Sequence, residues 1–243
     1  MGGDHGTFTW LGHAAVEVVA SSGSRILFDP WLGNPRSPRG AETVERCDVL
    51  LVTHGHGDHV GDSLDIAKRT HPAWPAIHEL SLWLDDVLAE GDAEVIGFNK
   101  GGTVQARDVK VTMVHAEHSA GDWAETLRMP RYLGEPAGFV VELADGYRLY
   151  HAGDTAVFGD MRLIGELFRP EVAFLPIGGH YTMDPRGAAM AAELLGVHTV
   201  VPIHWGTFPA LSGTPDELRR ELEAGGSSVA VLSPEPGAET PLP

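Results

Sequence analysis

The chain reads as an α/β protein in which two β-sheets pack face to face with helices outside, as one layered domain. Three observations carry this reading. Short apolar or alternating runs, each bounded by turn residues, recur along the whole length. Stretches of helical spacing are interleaved with them. A strand-rich half with helices is followed by a second half of the same kind, the order expected of two packed layers.

Taken in order, strands are predicted over residues 7–10, 15–20, 25–28, 49–52, 93–97, 103–106, 109–114, 138–143, 148–151, 172–175, 199–202 and 228–232. Helical spacing marks 62–70, 79–89, 158–167, 185–195 and 215–224. Pro185 and Pro215 stand where a first-turn proline belongs, with Asp184 and Thr214 before them as N-caps. Thirty glycines and 17 prolines punctuate the chain, which suits many short elements joined by tight turns. The expected domain spans 1–232. Residues 233–243 contain Pro234, Pro236, Pro241 and Pro243 and read as a flexible tail.

With 243 residues, 43% hydrophobic and 21% charged, the chain can bury a large core without disulfides. Cys47 is its only cysteine, so no intramolecular disulfide forms, and a small residue at a strand edge is the simplest role for it. The first residues lack the basic and apolar regions of a secretory signal and the Ser or Thr of a myristoylation signal. No apolar run approaches the ~20 residues needed to span a bilayer. The expectation is a cytoplasmic protein with no membrane partner; a homo-oligomer is compatible with it. The formal net charge of −17, with no Lys/Arg cluster, argues against a nucleic-acid partner.

The chemistry lies in the histidines. His54, His56, Asp58 and His59 fall within six residues, directly after the predicted strand 49–52. Imidazole and carboxylate are the donors that zinc and similar divalent ions prefer. Gly55 and Gly57 alternate with them and let the backbone turn so that the side chains converge. A surface His-rich loop is the bland alternative, and the alternation after a buried strand speaks against it. One loop cannot complete a coordination sphere, and three further candidates follow predicted strands: His118, Asp154 and His204.

Together these motifs resemble the metallo-β-lactamase superfamily, whose His-x-His-x-Asp-His signature is here His54-Gly55-His56-Gly57-Asp58-His59. Further blocks resemble one branch of it, metal-dependent hydrolases related to ascorbate-6-phosphate lactonases. They begin at Trp10, Phe28, Ala116, His151, Leu175, Tyr181 and Pro202, so the likeness runs from residue 10 to about 208. The resemblance implies a four-layer αβ/βα sandwich of two mixed sheets, with the site at one edge between them. It implies that His54, His56 and His118 hold a first metal, that Asp58, His59 and His204 hold a second, and that Asp154 bridges both. His115 rivals His118, but the Ala-x-His-Ser context favours His118.

The function so implied is that of a dinuclear metal-dependent hydrolase. Two divalent ions about 3.5–4 Å apart share a water and lower its pKa, so that hydroxide is available near neutral pH to attack a carbonyl or phosphorus centre. Zinc is the first expectation, with manganese, iron and nickel compatible with the same donors. The substrate is expected to be a small molecule: a lactone, ester, amide or phosphate ester. Asp58 is expected to orient the nucleophile as well as to ligate. His180, after the Gly178-Gly179 turn, is the candidate for protonating a leaving group or binding an oxyanion. Asp29 is a candidate hydrogen-bond partner for a ligating imidazole, with a plain turn role equally open. His13 could face the cleft or be structural, and His151 reads as packing support. Residues 122–136 read as a long loop that borders the site and chooses the substrate.

Three other functions compete. A nucleic-acid processing phosphodiesterase conflicts with the charge. A diiron redox protein of the superfamily carries a flavin-binding domain for which this chain has no room. A non-catalytic metal-binding protein conflicts with the complete ligand set. No β-lactamase activity follows from the superfamily name.

Overall fold

A computed structural model of the protein describes residues 4–124 and 128–243. In the first sheet β1 (Gly6–Trp10), β2 (Val16–Ala20) and β3 (Arg25–Phe28) run antiparallel. From β3 the sheet continues in parallel through β4 (Val49–Leu51), β5 (Ala73–Ile77) and β6 (Glu94–Phe98). The chain then crosses to a second sheet with β7 (Thr103–Ala106) and β8 (Val109–His115), paired antiparallel. Strands β9 (Asp122–Ala124) and β10 (Met129–Arg131) form a separate two-stranded ribbon. The second sheet resumes with β11 (Ala137–Glu142) against β8 and β12 (Arg148–His151) against β11. It then turns parallel through β13 (Val172–Pro176), β14 (Thr199–Ile203) and β15 (Ala230–Val231). Finally β16 (Glu239–Pro241) returns to β1 and closes the edge of the first sheet. Both sheets are therefore mixed, antiparallel in one half and parallel in the other.

The parallel strands are continuous apolar runs because both of their faces are covered; β4 and β13 are buried at every position. Between the sheets Phe8 meets Phe174 edge to face at 5.4 Å, and Phe28 stacks on His151 at 4.8 Å. A single helical turn, α1 (Gly57–Val60), precedes α2 (Ser63–Thr70) and α3 (His78–Val87). These last two pack on the first sheet through Ile66, Ala67, Leu80 and Leu84. Helices α4 (Met161–Phe168), α5 (Pro185–Leu195) and α6 (Pro215–Ala224) cover the second sheet through Ile164, Leu195, Leu218 and their neighbours. This is the αβ/βα sandwich expected from the sequence.

The helix starts follow their sequence signals. Asp184 accepts from the Gly187 N–H, and Thr214 forms a reciprocal capping box with Glu217. Strand β5 escaped the sequence reading because Pro72 and Pro75 broke its pattern. It tolerates Pro75 because β4 pairs with it only through Ala73, so the ladder on that side ends before the missing N–H. The stretch read as a long loop over 122–136 contains the β9–β10 ribbon; residues 125–127 of it lie outside the described residues.

The expectation of a flexible tail is corrected. Prolines at 234 and 236 do interrupt the chain, but the strand forms beyond them, with Thr7, Phe8 and Thr9 opposite Pro241, Thr240 and Glu239. Leu242 is buried, and the Pro243 carbonyl accepts from the Tyr147 hydroxyl at 3.0 Å. Pro241 is accommodated because β16 is an edge strand. Truncation after Ala238 is expected to lower unfolding free energy by at least about 1.5 kcal/mol, the lower bound for burying one leucine. Denaturant unfolding measures this, and an equally stable truncated chain would show that the tail contributes nothing.

Candidate metal centre

The residues singled out in the sequence lie where strands end. Thr53 to His59 follow β4, His118 follows β8, Asp154 follows β12 and His204 follows β14. Asp29 follows β3, and His13 lies in the turn after β1. Open α/β sheets gather ligand groups at the carboxyl ends of their parallel strands, and this site obeys that rule. Three non-glycine residues here occupy the left-handed region: His13 (φ 50°), Asp29 (φ 42°) and His204 (φ 54°). Such backbone is costly and persists where the surrounding contacts hold it. His204 is held by its N–H, which donates to the His13 carbonyl at 2.8 Å, and the Trp10 indole N–H donates to that same carbonyl at 2.9 Å.

Two groups of donor atoms result, and one carboxylate lies between them. In the first, His54, His56 and His118 converge, with His54 Nε2 2.8 Å from His56 Nδ1. In the second, Asp58, His59 and His204 converge together with His13. Asp154 Oδ2 lies 3.5 Å from His118 Nε2 in the first group and 3.1 Å from His204 Nε2 in the second. Its Oδ1 lies 3.4 Å from His59 Nε2. His115, the rival to His118, is exposed and faces Lys100 and Glu117 instead.

A second ring of contacts orients these groups. Asp29 is wholly buried, and its carboxylate accepts from the Thr53 backbone N–H (2.7 Å) and the Thr53 hydroxyl (2.8 Å), with His59 Nδ1 at 2.8 Å. The turn role and the partner role proposed for Asp29 are thus one arrangement. Thr53 Oγ1 also lies 3.1 Å from His54 Nδ1, leaving Nε2 of that ring to face His56. His13 joins Asp58 Oδ2 through Nε2 (3.1 Å) and Thr207 Oγ1 through Nδ1 (2.9 Å). His151 is the packing support it was read to be, stacked on Phe28 with Nε2 donating to the Ala14 carbonyl. Gly153 is required where it stands: its φ is 62°, and a Cβ there would come within 2.6 Å of the Thr53 side chain.

Sequence reasoning missed the roles of Thr53, Thr155 and Thr207. Thr155 accepts from the Glu117 N–H at 2.9 Å and ties the His118 loop to β12. For Thr53 and Thr155 the only signal is adjacency to His54 and Asp154, and Thr207, three residues past His204, has not even that. His180 departs from expectation. The turn through Gly179 (φ 71°) and His180 (φ 47°) leaves its side chain exposed, with its ring edge-on to Tyr181 at 4.4 Å. The structure does not bring it into the cluster.

The electrostatics call for a cation. Burial pushes His54, His118 and His13 down, His13 to about 4, so these rings are neutral and carry lone pairs. Burial acts the same way on His59, but Asp154 and Asp29 outweigh it and hold His59 well above the usual histidine range. Burial would raise Asp154, yet His204 and His59 hold it well below the usual carboxylate range. Several buried atoms here nevertheless lack a protein hydrogen-bond partner: His59 Nε2, Asp154 Oδ1 and both ring nitrogens of His204. Facing atoms at 3.1–3.5 Å that do not bond one another are what donors around a shared centre present. The donor set, imidazole and carboxylate without thiolate, fits a borderline divalent ion.

Fold and site thus define a metal-dependent hydrolase of the metallo-β-lactamase type, and a model of the Beta-lactamase superfamily domain matches residues 24–205. The chain belongs to the UPF0173 metal-dependent hydrolases of that superfamily. A member from Koribacter versatilis is 49% identical over 218 residues, 88% of this chain and 91% of the relative. A member from Myxococcus xanthus is 46% identical over 234 residues, 96% of this chain and 82% of the relative. Among solved structures, Igni18, a metallo hydrolase from the hyperthermophilic archaeon Ignicoccus hospitalis, superposes with a TM-score of 0.86 at 35% identity. That superposition covers 98% of each chain.

Replacing Asp29 by Ala leaves the Thr53 N–H and the His59 imidazole without their buried acceptor. The expected result is metal affinity about 10–100-fold weaker, the usual effect of losing a carboxylate behind a ligating imidazole. Titration with zinc measures it, and unchanged affinity would leave Asp29 with only its turn role.

Proposed function

We propose that the site holds two divalent ions and hydrolyses a small molecule at a carbonyl or phosphorus centre. His54, His56 and His118 would hold the first ion, Asp58, His59 and His204 the second, and Asp154 would bridge them. The observation that carries this reading is the placement of Asp154. One buried carboxylate faces nitrogens of both groups within 3.5 Å, as a bridging ligand must. Zinc fits the donors, as do manganese, iron and nickel.

When bound, the ions would supply an activated water and an electrophilic site for the developing negative charge. The chain's own residues do the rest. Asp58 is held below the usual carboxylate range: burial alone would raise it, but the His13 hydrogen bond and the nearby His59 outweigh burial. It therefore stays an acceptor that can orient the nucleophile's proton. Asp29 and Thr53 keep His54 and His59 aimed inward.

Substrate choice is assigned to the segment containing the β9–β10 ribbon. Leu133 lies against Gly55, so close that a Cβ there would come within 2.8 Å of it, which puts this segment beside the metal-ligand loop. Arg131 at its base lies over the Trp83 ring at 5.7 Å. Among the described residues no helix is long and apolar enough to cross a membrane. The single buried cysteine and the acidic charge support a cytoplasmic, small-molecule enzyme.

Metal analysis with a broad hydrolase screen tests the proposal. Two ions per chain are expected, with activity lost on chelation and regained on adding metal. Asp58→Ala should keep the first ion, lose most of the second and lower kcat/KM more than about 100-fold, beyond what loss of an outer partner costs. Full activity in Asp58→Ala would sink the mechanism, and one ion per active chain would sink the dinuclear reading.

A further inference from the structure

His13 is wholly buried, and both of its ring nitrogens are engaged. A neutral imidazole has one N–H and one lone pair, whereas an ionised carboxylate can only accept. With Nε2 3.1 Å from Asp58 Oδ2 and Nδ1 2.9 Å from Thr207 Oγ1, one assignment satisfies every atom. Nε2–H donates to Asp58, and the Thr207 hydroxyl donates to Nδ1. We infer that His13 is a positioning residue: a Thr207–His13–Asp58 chain fixes the Asp58 carboxylate beside His59 and His204, and so builds the second-ion half of the site. The inference rests on the dinuclear reading proposed above.

Three features support it. First, His13 is fixed to the strand end that carries His204, because its carbonyl accepts from the His204 N–H while its ring lies 4.0 Å from the His204 ring. Movement of one moves the other. Second, Asp58 needs such a support, since it stands on a single helical turn and its side chain is one-third exposed at 33%. The neighbouring ligand-type atom, His204 Nε2, is 4.0 Å from its Oδ2, too far to hold it. Third, the ring is walled by Trp31 edge-on at 5.1 Å and by Phe208 at 5.8 Å, which hold its plane. His13 lies close enough to Asp58, His59 and His204 to be counted a fourth ligand. The hydrogen-bond assignment argues otherwise, because the nitrogen facing that group carries the proton given to Asp58.

The experiment titrates zinc, then cobalt(II), into the metal-free full-length chain and reads stoichiometry, both affinities and the cobalt absorption spectrum. The wild type should bind two ions. His13→Ala should bind the first within about 3-fold of wild type and the second about 10–100-fold more weakly, the range for losing an outer-shell partner. His13→Gln, whose amide N–H reaches the Nε2 position, should recover most of that loss and leave the two-ion cobalt spectrum unchanged. Thr207→Val should weaken the second ion selectively and by less. Equal binding of both ions by His13→Ala, or equal weakening of both, would overturn the inference. Failure of His13→Gln to recover binding, with an altered cobalt spectrum, would make His13 a ligand and overturn it too. Should His13→Ala not fold, Thr207→Val decides: selective weakening supports the chain and unchanged binding refutes it. A wild type that binds one ion overturns the dinuclear reading itself, a result distinct from all of these.

Discussion

The buried carboxylate of Asp154 sets the terms for everything around it. It is 3% exposed and lies at the bottom of a cluster of imidazoles. A charge so placed is costly unless it is paired, and pairing that leaves atoms unsatisfied costs more still. His59, His118 and His204 approach it within 3.5 Å, from three different strand ends. The closeness is made possible at Gly153, where the chain presses against Thr53 and leaves no room for a side chain. Thr53 in turn is bound to Asp29, and Asp29 to His59. The first sheet and the second thus meet in one polar network exactly where their apolar layers stop.

The sandwich makes that meeting possible through symmetry of plan. Each sheet is antiparallel in one half and parallel in the other, and the parallel strands of both deliver their carboxyl ends to one rim. Side chains at strand ends are held by two buried layers beneath them, so loops carry the donors while rigid strands set their spacing. The positive-φ residues mark where this scaffold is most constrained. His13, Asp29 and His204 each turn the chain sharply so that a polar group faces inward, and each is fixed by hydrogen bonds from another strand end.

Much of this was legible in the sequence because it is local. The alternation from His54 to His59 after an apolar run announces convergence, and the downstream candidates each follow an apolar run of their own. The capping of α5 and α6 was equally plain, since Asp184-Pro185 and Thr214-Pro215 are signals of adjacent residues. What escaped depends on distance along the chain. His13 and Thr207 are 194 residues apart, and nothing near either one points to the other. The pairing of β16 with β1 joins the two ends of the chain, and prolines masked the strand. His180 is the opposite case, exposed and outside the donor cluster. The local pattern suggested a site residue, but a two-residue twist in the backbone sends the side chain outward.

On the reading proposed above, the net charge bears on the substrate as the donors do. The chain carries a net charge of −17, whereas the charge of Asp58 and Asp154, the two aspartates proposed as ligands, would be outweighed by two dications. A long polyanion extends over several screening lengths, each about 8 Å at physiological salt, and meets the repulsive field of the whole surface. A small anion held among the histidines meets mainly the local field, which on the dinuclear reading is positive. On the proposed reading the same site would accept a small anionic ester or phosphate ester and disfavour nucleic acid, with no residue devoted to the discrimination. Exclusion by charge and recognition by the ions would then be separate devices, and only the second would depend on the ligand set.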